Sequence, residues 1–473
     1  MTSAPPHRQV SARTTRTVPS ARVTAAAAAV AAAAGDHRPG RGRPAGPVRG
    51  EPPVIRTSAL ASGLAVVTEE MRDARSVCLG FFVGTGSRDE PEESAGSSHF
   101  LEHLLFKGSE RWSASAIAEA VDEVGGEFNA YTSKEYTSFY MRLLAENVDL
   151  GLDILGEVLS RPALRAADVD AERHVILDEL HMHADEPADV AGEQCAAALF
   201  PDHPLGREVI GSERSVSDTT AASVRAFFET HYRPANMVAA VAGAFDHDAV
   251  VAGIDAQLSA SGGVRPTRSA PSKAVVPVCV AERSTEQAHL VLGIRSLDRF
   301  DERRYAAAVF NHALGGGVSS RLFQEIRERR GLAYSVWSER ASFADAGMLT
   351  VGLGTSVDNV DEVLTVAGGI LEELGAGGIT GRELDVARGG LRAELLLAEE
   401  DSGARMHRIG SSQLLHGEVL EVEEVIERIG AVSADDVAAI AAELTAAPRV
   451  LSAVGPFSAD RFDADRLGLV PVG

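Results

Sequence analysis

The stretch "GSSHFLEHLLFKGS", residues 96–109, sets His99 and His103 four positions apart with Glu102 beside the second. On a helix these three side chains leave one face, because residues three and four apart lie about one turn along. Two neutral imidazoles at that spacing can take two corners of a zinc tetrahedron, and the carboxylate beside them is then free to move a proton. The plainer alternative is a helix with ordinary capped histidines. It leaves unexplained why the pair sits among Phe100, Leu101, Leu104, Leu105 and Phe106, where an unpaired polar group costs about 1–3 kcal/mol.

A hydrolytic zinc keeps three protein ligands, so a third must come from elsewhere. The segment "VDAERHVILDELHMHADEP", residues 169–187, reads as a helix and offers Glu172 and Glu179, seven apart and therefore two turns along one face. One could reach a metal while the other orients a histidine. His174, Asp178, His181, His183 and Asp185 share that helix, and an acidic outer face is the plain alternative; position alone does not choose among them.

Several elements must hold these residues in place. "VIRTSALASGLAVVTEE", residues 54–70, alternates about a Ser-Gly turn and predicts a hairpin; "SVCLGFFVGTGS", residues 76–87, predicts a continuous apolar strand ended by glycines. A helix over "SASAIAEAVDEVGG", a strand pair over "EFNAYTSKEYTSFYMRLL", helices over 148–159 and 169–185 and a strand at "NMVAAVAGAF" come next. Sheet plus helices gives an α+β class. Residues 259–277, rich in Gly, Pro and Ser, read as a linker between a 51–258 domain and a 278–473 domain.

The chain beyond the linker echoes the chain before it. Asp301-Glu302 lie 212 residues after Asp89-Glu90, and "GRELDVARGGLRAEL" matches "AADVDAERHVILDEL" at an offset of 215, which indicates a duplicated domain of about 210 residues. The first offset puts Asn311, Leu314 and Gly315 where His99, Glu102 and His103 stand, so the copy carries no metal site and His312 reads as structural. "GGGVSSRLFQEIRERRGLAYSVWS" enters a helix that stops at Gly331, yet has neither the G-K-[ST] ending nor the G-x-G-x-x-G spacing of a phosphate loop; a flexible loop is expected of its glycines.

Over 473 residues, 45% hydrophobic and 24% charged, the composition is that of soluble globular domains, and no run of about 18 apolar residues other than alanine offers a membrane span. Net charge is −23, and residues 1–50 hold eight arginines against Asp36 alone, so removing that +7 leaves the rest near −30. Such acidity argues against nucleic acid and favours basic partners. Three scattered cysteines suit free thiols in a reducing, cytoplasmic setting. Residues 1–50 read as a disordered Ala/Arg/Pro-rich extension whose composition overlaps that of a transit peptide.

The stretches "SRDEPEESAGSSHFLEHLLFKGS", "NAYTSKEYTSFY", "ERHVILDEL", "HYRPANMVAAVAG" and "GGGVSSRLFQEIRERRGLAYSV" together resemble the pitrilysin/insulinase family of zinc metallopeptidases, the inverzincins. The likeness is greatest to short bacterial members related to the β subunit of mitochondrial processing peptidase. The resemblance implies a clamshell of two homologous domains, each a mainly antiparallel sheet packed with helices. It also implies a glutamate ligand about 76 residues after the motif, where Glu179 stands. Carried over, His99, His103 and Glu179 bind one zinc per chain, Glu102 is the general base and Glu172 supports the site. Arg327 and Tyr334, seven apart, hold the substrate and polarise its carbonyl, and the strand around Asn129 and Ala130 is an edge to which an extended peptide adds. The activity implied is a metalloendopeptidase acting on peptides or unfolded, presequence-like segments, as a homodimer around an acidic chamber that prefers basic peptides. A non-catalytic peptide-binding subunit of the same fold is the alternative, and a zinc hydrolase of other substrates a third reading.

Overall fold

In the computed structural model, residues 54–464 are described together with 467 and 469; the expected extension over 1–50 lies outside the described residues. Alternation makes the first hairpin: β1 (Ile55–Ala59) pairs antiparallel with β2 (Ala65–Glu70), and Gly63 turns the chain at a φ of +92° that side chains rarely adopt. β3 (Ser76–Val83) is buried from Val77 onward, as a continuous apolar run requires. β4 (Glu127–Thr132), β5 (Thr137–Leu144) and β6 (Met237–Gly243) complete a sheet of order β1-β2-β6-β3-β5-β4, which leaves β4 on an edge.

The second half repeats this plan. β7 (Val278–Glu282), β8 (Gln287–Ser296), β9 (Ala333–Ser342), β10 (Gly347–Ser356) and β11 (Arg449–Gly455) run in the order β7-β11-β8-β10-β9. Strand for strand this is β2-β6-β3-β5-β4, and in the five strands common to both sheets β2–β6 and β7–β11 are parallel and the other pairs antiparallel. Two weak echoes at nearly one offset therefore reported a real duplication.

One face of each sheet is covered by helices of its own half, giving two separate cores. The other face is covered from across the molecule. Helix Ser402–His416 lays Met406, Ile409 and Leu414 on Cys78, Phe82 and Val238 of the first sheet, while helix Pro187–Leu199 lays Cys195 and Leu199 on Val291 and Val450 of the second. Both crossings are close enough to need glycine: a Cβ on Gly410 would strike the Phe82 ring, and one on Gly293 would strike Cys195 Sγ. Cys78, Cys195 and Cys279 are free thiols, as expected.

Charge joins the halves as well. Arg88, beside the first sheet, donates to Glu135 Oε1 at 2.6 Å and to Asp345 of the second half at 2.6 and 2.7 Å. Glu135 also receives Arg299 and the Ala344 N–H, and Arg268 donates to Asp89 at 2.7 and 2.8 Å and to the Glu135 carbonyl at 2.6 Å. Residues 259–277 form neither helix nor strand, but Arg268 pins them to the first half at Gly84, Asp89 and Glu135.

The glycine cluster departs from expectation. His312–Gly316 and Phe323–Arg329 are π-helical, and a Cβ on Gly315 would lie 2.6 Å from the Ser338 backbone nitrogen. The first two glycines thus belong to a π-helical turn, and at Gly315 lack of a side chain serves close approach to β9 where a flexible loop was expected. His312 packs against the helix at Gly390, in keeping with a structural role. Among the described residues no single helix is long and apolar enough to cross a membrane.

Candidate metal centre

Helix Ser97–Leu105 begins at Gly96, held at φ +92°, where Glu90 accepts the Gly96 and Ser98 N–H groups at 2.6 Å each and so satisfies two donors that no helical carbonyl reaches. Its apolar face buries Phe100, Leu101, Leu104 and Leu105, which obliges His99, Glu102 and His103 to leave the opposite face. Helix Ala166–Asp185 crosses it with Val169, Glu172 and Ile176 buried.

The crossing brings one ligand atom each from His99, His103 and Glu179 within 4.8 Å of one another. Both Nε2 atoms face the same carboxylate oxygen: Glu179 Oε2 lies 3.7 Å from His99 and 3.4 Å from His103. Behind them Glu172 Oε2 meets His103 Nδ1 at 3.1 Å, and its other oxygen meets Lys107 Nζ at 2.5 Å. Two imidazole nitrogens and a carboxylate oxygen form a donor set suited to zinc, with the outer carboxylate fixing the tautomer of one histidine.

The electrostatics fit a cation. Burial, aided by His103, pushes His99 down to about 4, leaving it neutral as a ligand must be. Burial also works against a charged His103, but its bonds to Glu172 and Glu179 outweigh this and raise it to about 9. A site that draws a proton between two carboxylates is one that attracts positive charge. Glu179 lies below its ordinary value although burial opposes this, because the histidines outweigh it. Glu102 moves the other way, to about 7, because of burial, while Thr132 donating to Oε2 at 2.6 Å and His103 restrain the rise.

A cavity of about 660 Å³ opens here, lined by His99, Glu102 and Glu179 and by Asn129, Ala130 and Thr132 of β4. Seven expected residues are thereby gathered: His99, His103 and Glu179 as a cluster, Glu102 beside them, Glu172 behind and the Asn129–Ala130 edge across the cavity. Arg327 and Tyr334 meet each other instead, with the guanidinium carbon 4.7 Å from the Tyr334 ring and 4.8 Å from Phe323. Tyr334 is 79% exposed, and neither residue lines the cavity.

Sequence reasoning did not pick out Thr132 or Lys107. Lys107 had a signal, since it follows His103 by four on the motif's own face; Thr132 had none, because its approach to Glu102 is made by the packing of β4 on the helix.

A family model described as "Insulinase (Peptidase family M16)" matches residues 65–213, and one described as "Peptidase M16 inactive domain" matches residues 218–391. The chain is 41% identical over 411 residues to an uncharacterized zinc protease of Streptomyces coelicolor, covering 85% of this chain and 90% of that protein. It is 42% identical over 414 residues to an uncharacterized zinc protease of Mycobacterium tuberculosis, with 86% and 94% covered, and 34% identical over 409 residues to one of Bacillus subtilis, with 85% and 98% covered. Two solved structures share the fold. A peptidase M16 inactive domain from Pseudomonas fluorescens has a TM-score of 0.79 at 23% identity over 86% of this chain and 98% of that one, and a protease from Helicobacter pylori has 0.79 at 21% over 85% and 100%.

Proposed function

This chain belongs to the insulinase family, peptidase family M16, and on that premise we propose that it is a zinc-dependent endopeptidase of peptides or unfolded segments, with His99, His103 and Glu179 as ligands of one zinc. The observation that carries the reading is the convergence of those three ligand atoms within 4.8 Å in a cavity that Glu102 also lines. The description of its relatives as zinc proteases supports it.

Zinc held there supplies Lewis acidity, which acidifies water and polarises a peptide carbonyl. Glu102, raised to about 7 by burial, is poised to take a proton from water and return it to the leaving amine. Thr132 holds the carboxylate in one orientation through Oε2. The free edge of β4 at Asn129 and Ala130 grips an extended peptide by its main chain, a mode indifferent to most side chains. Arg327 and Tyr334, stacked on each other away from the cavity with Tyr334 exposed, would steady the carbonyl oxygen once the second domain closes on the peptide. Glu193 and Glu208 stand on the cavity wall beside Lys134 and Arg207, and the charge near −30 over residues 51–473 favours basic peptides, in a chamber that two copies of the chain would enclose as a homodimer.

The test is cleavage of a quenched unstructured peptide. A zinc chelator is expected to abolish it and added zinc to restore it, and Glu102→Gln is expected to lose about 10²–10⁴-fold in kcat while keeping its zinc. Full zinc-dependent cleavage by Glu102→Gln would overturn the general-base assignment. Purified protein with less than about half a zinc per chain and no chelator-sensitive cleavage would make it a non-catalytic subunit of this fold.

A further inference from the structure

A second cavity, of about 300 Å³, lies between the two halves and is lined by Lys134 and Glu135 of the first and by Arg299, Arg304 and Arg340 of the second. Four cations face one acid there, within a chain whose balance is strongly acidic. The acid is spoken for: Glu135 takes Arg88 at 2.6 Å, Arg299 and the Ala344 N–H.

Arg304 and Arg340 are the anomaly. They are 4% and 7% exposed, yet among the described residues neither forms an ion pair, and the Nε of each is buried with no hydrogen-bond partner. Their remaining nitrogens reach neutral oxygens: Arg340 meets the Arg304 carbonyl at 3.4 Å and Ser342 Oγ at 3.5 Å, and Arg304 meets the Asp301 carbonyl at 3.2 Å and Tyr305 Oη at 3.4 Å, with its guanidinium carbon 4.7 Å from the Tyr305 ring centre. The nearby Asp301 carboxylate is held by Arg303 at 2.7 and 3.0 Å. Burying a guanidinium without a counter-charge is unfavourable, so such a pair is kept where an anion can complete it.

We propose that this cavity is a binding site for a compact oxyanion, a carboxylate or phosphate group, gripped by Arg304 and Arg340 with Arg299 at its margin; Lys134, whose ammonium donates to the Arg207 carbonyl, forms the wall toward the metal cavity. The guanidinium fork suits either group, presenting paired N–H donors to paired oxygens. Phe343, Met348 and Leu415 line the same cavity, so it also accepts an apolar body attached to the anion. The local field is positive enough that His416, lowered first by burial, is driven further by Arg299 and Arg304 to about 4. Lys134 lines both this cavity and the metal cavity, so an anion bound here lies next to the peptide cleft and ties the two domains together.

The occupant's source is either a free anion or the carboxylate of a bound peptide. Melting of the full metal-loaded chain in inorganic phosphate up to about 20 mM, against chloride at matched ionic strength, reads the site without any proteolysis. A saturating rise of about 1–3 °C is expected in the wild type and not in Arg340→Met. Arg340→Met should melt no lower than the wild type in chloride, since it removes a buried uncompensated charge; Arg304→Gln serves if that variant does not fold. No saturable rise in the wild type, or an equal rise in both variants, overturns the site. Given peptidase activity, phosphate that competes with a peptide whose C-terminal amidation raises KM several-fold assigns the site to the peptide's carboxylate. Phosphate that shifts melting without changing KM assigns it to a free anion.

Discussion

At the scale of residues, the division of labour between Glu172 and Glu179 follows from which nitrogen each faces. Glu179 looks at Nε2 of both histidines, and Glu172 at Nδ1 of His103 alone, so removing Glu172 leaves the ligands in place but frees one ring to turn. Glu172→Gln is therefore expected to weaken zinc binding about 10–100-fold, measured by competition with a chromophoric chelator. Unchanged affinity would mean that Lys107 is the true partner of Glu172 and that the His103 contact is incidental. The motif's spacing made His99, Glu102 and His103 legible, since a helix projects such positions together whatever surrounds it. The choice of Glu179 from a helix crowded with His, Asp and Glu was not legible from position, because two turns of a helix present both glutamates to one side. Only the crossing of the two helices, or a family spacing, separates them.

At the scale of elements, local pattern was enough wherever local physics decides. The hairpin of β1 and β2, the buried β3, the β4–β5 pair and β6 all stand where alternation or continuous apolar runs put them, and helix Val148–Ser160 ends one residue past its expected limit. The π-helical turns after His312 were not readable, because they come from the fit of a glycine-rich segment against β9. Helix Gly381–Ala398 shows how strongly one cap can hold an element. Thr380 Oγ1 accepts the Glu383 N–H while Glu383 Oε2 accepts the Thr380 N–H at 2.7 Å, and Arg321 donates to the same carboxylate at 2.6 and 3.0 Å. The Arg321 bond, with those from Thr380, draws Glu383 from 4.5 down to about 2. A carboxyl depressed by folding stabilises the fold above its unfolded value and ceases to as pH falls through its folded one. Glu383→Gln should thus lower Tm by about 2–4 °C at neutral pH, and the gap should close between about pH 4.5 and 2. A gap independent of pH would mean that shape, not charge, makes the cap.

At the scale of the molecule, duplication was visible in two echoes, but the exchange of helices between halves was not. Nothing local in Ser402–His416 or Pro187–Leu199 says that each covers the sheet of the other half. That exchange makes the domain boundary a shared structure, and the buried ion network sits on it. Glu135 is its hub: its carboxylate answers Arg88 and Arg299 while Asp345 answers Arg88 from the other side. With Arg88 and Glu135 side chains each 2% exposed, water cannot replace a missing partner. Glu135→Gln should accordingly cost about 3–5 kcal/mol in urea unfolding, most of it the penalty of guanidinium groups left uncompensated. Asp345→Asn should cost less, because its carboxylate is more exposed. The two together should fall short of their sum by about 0.5–3 kcal/mol, since both act through Arg88. Strict additivity would mean that each half holds its own charges and that the interface rests on the exchanged helices alone.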